Sequence, residues 1–183
     1  MTNSTTSRLH TTVDALRAAL ADSPDLFSAT LGGTIDEATA AAARTEGVPG
    51  EFVDFCRVLD GASCGPSVQL FGLAEAQAHQ FYCTPIVDSP LALSPQNLYC
   101  IGLILETPVY LDRPTGTVLG IPTEHREWPD AERFDQLAPG VPEFFLNRLA
   151  VPAYRQLALV DEELTEYDNW LTLLSRAGIG GSG

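Results

Sequence analysis

The residues of this chain that could do chemistry are few and scattered. Gly61-Ala62-Ser63-Cys64-Gly65 matches G-x-S-x-G, the pattern that exposes a serine nucleophile on a sharp turn. That chemistry needs a strand before the serine and a helix after it. Here an apolar helical pattern ends at Gly61 and a β-compatible run begins near Val68, so the order is reversed. The two glycines then read as a helix cap and a loop. The histidines are His10, His79 and His125, and none forms H-x-x-x-H or H-x-x-E. His79 and Cys83 stand at helical spacing, as a Cys–His nucleophile pair would. Pro85 and the irregular sequence around it work against that pair. Cys56, Cys64, Cys83 and Cys100 show no CxxC spacing, so reduced thiols and no zinc site are expected. No phosphate loop or dinucleotide fingerprint appears, and no cofactor is expected. Carboxylate pairs such as Glu124 and Glu127 mean little for acid–base catalysis in so acidic a chain.

The charge balance narrows the partners instead. Lys and Arg number 10 against 24 Asp and Glu, a formal charge of −14. Phosphate backbones are bound by displacing counterions with Lys and Arg, so nucleic acid is not expected as a direct ligand. An anionic membrane surface is disfavoured for the same reason. A basic protein would be drawn in by long-range attraction. Five acids fall within eight residues at Asp161, Glu162, Glu163, Glu166 and Asp168. Asp130, Glu132 and Asp135 form a looser group. Such a run is either a solvated helix face or an acidic patch for a basic partner. Tyr167 and Trp170 beside it are either aromatic anchors or core residues of the last helix.

These groups must be held by a fold, and the composition supports one. Hydrophobic residues make up 45% and charged residues 19% of 183 positions, a globular balance. No run of about eighteen apolar residues exists. The start of the chain lacks the apolar stretch of a signal peptide, so a cytoplasmic protein is expected. Residues 1–10 read as a flexible tail. Val13, Leu16, Ala19 and Leu20 mark one face of a short helix that ends at Ser23-Pro24. Thr34 to Glu37 has the form of a capping box opening an Ala-rich helix that Gly47 stops. Pro49 opens a stronger helix with Phe52, Phe55, Val58 and Leu59 on one face, capped by Gly61. Residues 68–73 are β-compatible, and a short helix follows near 74–78. Pro85, Pro90 and Pro95 make residues 77–97 an irregular insertion. Strands are expected over 98–105, 108–111 and 117–121, the last two joined by Asp112-Arg113-Pro114-Thr115-Gly116. Residues 122–140 read as acidic loop. A helix with Val141, Phe144, Phe145 and Leu149 on its face follows, then a largely helical stretch over 154–176 with a break near Asp161. Residues 178–183 read as a frayed, glycine-rich tail.

Three of these stretches, in order, resemble a known family. Gly47-Val48-Pro49-Gly50-Glu51-Phe52-Val53-Asp54-Phe55, with Leu59-Asp60-Gly61, is similar to the helix that opens the SUKH superfamily of Smi1/Knr-like domains. Val68 to Glu75 is similar to that family's strand and turn into a short helix. Ile101-Gly102, Pro108 to Asp112 and Thr115 to Val118 resemble its hairpin. The helix carrying Phe144, Phe145 and Leu149 is similar to its closing helix. The likeness spans roughly residues 45–150, with helical additions over 11–44 and 152–176. It implies one α+β domain over 1–183, an antiparallel-rich sheet packed with helices.

The resemblance also implies a function. Many bacterial members are immunity proteins that neutralise polymorphic or contact-dependent toxins by direct binding, without catalysis. The implied partner is a cognate protein toxin, such as a basic nuclease. The expected contact residues are Asp161, Glu162, Glu163 and Glu166, with Tyr167 and Trp170 as anchors. No family motif assigns them, because the binding surface varies among members. Two other readings stay open here: a regulatory scaffold of the Smi1/Knr type, and a hydrolase using Ser63 or a cysteine.

Overall fold

The computed structural model describes residues 2–122 and 127–180, with side chains from residue 4 onward. Seven antiparallel strands lie side by side in chain order. They are β1 (Thr30–Leu31), β2 (Ala62–Cys64), β3 (Val68–Leu70), β4 (Leu98–Ile104), β5 (Thr107–Asp112), β6 (Val118–Gly120) and β7 (Asp135–Ala138). The helices are α1 (Thr2–Ala21), α2 (Glu37–Thr45), α3 (Gly50–Cys56), α4 (Leu73–Ala78), α5 (Val141–Phe144), α6 (Tyr154–Leu157) and α7 (Asn169–Arg176). The fold is α+β with helices added at both ends, as the sequence suggests.

Strand alternation divides the core between two faces. Tyr99 pairs with Leu111, and Leu111 with Val118, so these three share a face. The helices cover it: Phe52 of α3 lies 5.7 Å from Tyr99, ring to ring, and Phe55 lies 5.9 Å from Phe145. Cys100 and Tyr110 pair on the opposite face. The segment expected as an insertion covers that face. Its Leu91 and Leu93 are buried, and the Tyr110 hydroxyl donates to the Tyr82 carbonyl at 2.9 Å. The β4–β5 register shifts between Cys100 and Gly102. Gln80 serves the Cys100 backbone beside that bulge, accepting from its N–H at 3.1 Å and donating to its carbonyl at 2.9 Å. Gly102 permits the close approach there, since a Cβ would sit 2.3 Å from the Gln69 carbonyl oxygen.

Several expectations need correction. Residues 2–10 belong to helix α1 and not to a tail. Buried Leu9 continues the Val13 and Leu16 face, one turn before the apolar pattern becomes obvious. The cap of α2 is Asp36, which accepts from the Thr39 N–H at 2.8 Å, and not Thr34. Glu37 cannot close the expected box because it pairs with Arg57 at 2.8 Å. Helix α3 ends at Cys56 and not near Gly61. Arg17 of α1 takes the Val58 carbonyl at 3.0 Å, along with those of Gly32 and Gly33 at 2.9 Å. Strands β1, β2 and β7 were not expected. The stretch 154–176 is two short helices separated by a 3-10 turn. Residues 178–180 fold back, with the Ile179 N–H on the Leu174 carbonyl at 2.9 Å, and 181–183 lie outside the described residues. Among the described residues no helix is long and apolar enough to cross a membrane.

Candidate protein-binding surface

The acidic run sits on its own small element. Helix α6 ends at Leu157, and Leu159, at φ 51°, turns the chain outward. Asp161 then leads a 3-10 helix over Glu162–Tyr167. Side chains three apart eclipse in such a helix. Leu164 and Tyr167 therefore form one row, 53% and 72% exposed. Glu163 and Glu166 form the next row, and both are exposed, as are Asp161 and Glu162. Arg155 pairs with Glu162 at 3.3 Å. Asp161, Glu163 and Glu166 have no ion-pair partner among the described residues. The element thus sets an apolar row beside uncompensated carboxylates.

One residue of the predicted set, Trp170, and the last acid of the run, Asp168, part company with it. Trp170 is fully buried and donates its indole N–H to the Leu149 carbonyl at 2.8 Å. Its ring meets Phe145 and Tyr154 at 6.5 and 6.4 Å. It is a core residue and cannot anchor a partner, because α7 turns its apolar face to the core from the first turn. Asp168, the last acid of the run, is 6% exposed and caps α7 by accepting from the Leu171 N–H at 2.9 Å.

A cleft of about 260 Å³ opens beside this element. The end of the sheet supplies Ile104, Pro108 and Leu137, and the α6 region supplies Leu157 and Leu159. Arg148 stands among these apolar walls. A neighbouring depression shares Gln156 and Leu159 with the cleft and reaches Asp161 and Glu162. Asp161 and Glu162 therefore line a shallow depression next to a partly apolar cleft. Sequence reasoning missed Leu159 and Leu164, whose signal was large apolar residues set within an acidic run.

The nucleophile candidates are placed otherwise. Ser63 is the central residue of β2, paired with Thr30 and Gln69, and a strand rather than a helix follows it. Burial raises the thiols of all four cysteines, Cys83 to about 11 and Cys100 to about 12. Asp60 adds to the shift at Cys56, and Asp168 to that at Cys64. His79 donates from Nδ1 to the Glu75 carbonyl at 2.8 Å, and its ring stacks on Phe71. Cys83 donates to Gln80 Oε1 at 3.5 Å, so helical spacing does not join it to His79. Glu124 and His125 lie outside the described residues. Among the described residues no group of His, Cys, Asp and Glu could hold a metal ion.

No family model, no curated protein and no solved structure matches this chain.

Proposed function

We propose that this chain is a protein-binding module that acts by occlusion and not by catalysis. On the SUKH resemblance, its role is that of an immunity protein, and its partner is a toxin with a basic active surface, met in the cytoplasm. The observation that carries the reading is the pairing of rows on the 3-10 helix. Leu164 and Tyr167 stand in solvent beside Glu163 and Glu166. Carboxylates alone would serve solubility. Carboxylates beside a solvent-facing leucine and tyrosine suit a contact that is steered by charge and then held by desolvated apolar area.

Co-expression with the product of a neighbouring gene tests the class. Rescue of growth, together with co-purification of the two chains, supports an immunity protein. Rescue without physical association counts against occlusion. Reversal of Asp161, Glu162, Glu163 and Glu166 to lysine then tests the surface. Binding at low salt that is unchanged by those reversals removes this element from the contact.

A further inference from the structure

The segment between α4 and β4 covers the second face of the sheet with its inner side. Its outer side carries a chain of rings. The His79 ring stacks on buried Phe71 at 4.6 Å. Phe81 lies 5.6 Å from His79 and 4.4 Å from Tyr82. Tyr82 meets Trp128 at 6.1 Å, edge to face. Phe81 is 60% exposed, and His79, Tyr82 and Trp128 are half-buried. Val87, 85% exposed, and Ile86 belong to the same stretch. The core needs the Tyr82 carbonyl for Tyr110 and the Gln80 amide for Cys100, but it has no use for the ring of Phe81 or the side chain of Val87. Exposed apolar side chains on one stretch of chain suit an interaction site.

Carboxylates frame the rings. The Ser89 hydroxyl donates to the Pro129 carbonyl at 2.5 Å, which brings Asp88 beside the turn that carries Trp128. Glu127 and Asp130 flank that turn, and all three acids are exposed. None of the three has an ion-pair partner among the described residues. Aromatic faces beside uncompensated carboxylates suit a cation that can stack and pair at once. A guanidinium does both better than an ammonium, being planar and weakly hydrated. A guanidinium stacks on a ring within the molecule too: Arg113 is set 4.9 Å from the centre of the Tyr99 ring and donates to the Leu98 and Gly47 carbonyls.

We propose that this platform binds an arginine-bearing segment of a protein partner, with the guanidinium stacked on Trp128 or Tyr82 and paired with Asp88 or Asp130. Phe81 and Val87 take the apolar neighbours of that arginine. The proposal rests on the reading of the chain as a module for a basic protein, and it assigns a second contact region built by a different part of the chain.

The test uses the full chain, isotopically labelled, titrated with a blocked tetra-arginine peptide and followed by NMR. The Trp128 indole N–H reports on the platform, the amides of 161–167 report on the acidic helix, and the buried Trp170 indole is the internal control. The expected result is a saturable shift of Trp128 and of the 79–88 amides, with tetra-lysine binding several-fold more weakly. Phe81→Ala and Asp88→Asn, both at exposed positions, should together weaken the platform's affinity about tenfold. Shifts confined to 161–167 overturn this inference and leave the broader reading standing. Shifts nowhere overturn both. Equal affinity for the two peptides, or no loss in the double variant, overturns the stacking.

Discussion

The indole of Trp170 donates to the carbonyl of Leu149 at 2.8 Å, joining α7 to the π-helical turn that follows α5. That turn ends in Leu149 and Ala150, both buried, so the carbonyl has no water to fall back on. Trp170→Phe keeps most of the ring contacts and orphans the carbonyl, at a cost of about 1–3 kcal/mol. Trp170→Ala adds a large cavity and costs about 3–5 kcal/mol. Urea unfolding of both variants measures this. Any loss of partner binding should then track the unfolded fraction, since the side chain never reaches the surface.

Tyr99 offers the opposite case. Its ring is packed by Phe52 and by the Arg113 guanidinium, yet its buried hydroxyl finds no hydrogen-bond partner among the described residues. Burial also pushes the phenol far above its ordinary range. Tyr99→Phe retains the packing and removes the orphaned group. It should raise stability by about 1 kcal/mol, seen as a higher urea midpoint with an unchanged slope.

Glu51 gives a pH signature. This half-buried carboxylate of α3 accepts from the Val141 N–H at 2.8 Å, at the start of α5. A Cβ on Gly140 or on Gly116 would lie 2.5 Å from its oxygens, so both glycines make room for it. Desolvation raises its pKa, opposed by the Val141 bond and reinforced by Glu143. The folded pKa lies above the unfolded one. The associated stability is therefore present below the ordinary glutamate range and is lost as pH rises through the raised value. Glu51→Gln keeps an acceptor for Val141 and cannot ionise. It should match the wild type in acid and become the more stable chain as the pH passes to neutral. Denaturant midpoints from pH 4 to 7 check the sign, and a constant difference across that range rules the mechanism out.

Strong patterns were legible in the sequence and weak ones were not. The β4–β5–β6 ribbon could be read because its strands are apolar runs joined by Asp112 to Gly116, and Gly116 does adopt a φ of 75°. Strand β1 is two residues long, too short for any periodicity. Strand β2 is hidden in a glycine-flanked serine motif, and β7 starts with an exposed Asp135 and Gln136 at a sheet edge, where charge is expected. The insertion was visible as irregular sequence, but its use was not. Covering Cys100 and Tyr110 is a tertiary role that only the sheet's second face defines. The acids Asp161 to Glu166 and Tyr167 lie at the surface as expected, whereas Trp170 shows that an aromatic next to an acidic run carries no sign of which way it points.

The acidic helix should govern the rate of association more than the lifetime of a complex. Asp161, Glu163 and Glu166 are exposed and unpaired among the described residues, so their field reaches into solvent but is screened over about 10 Å at 0.1 M salt. Leu164 and Tyr167, by contrast, gain only on contact. Charge reversal of the acids should lower the association rate with a basic partner about tenfold or more at low salt, with the gap closing as salt rises. Leu164→Ala with Tyr167→Ala should leave that rate within about threefold and speed dissociation instead. Stopped-flow association across a salt series separates the two sets. An equal effect of the acid reversals at 0.05 and 0.5 M salt would sink the steering role. Unchanged dissociation in the Leu164 and Tyr167 variant would take the apolar row out of the contact.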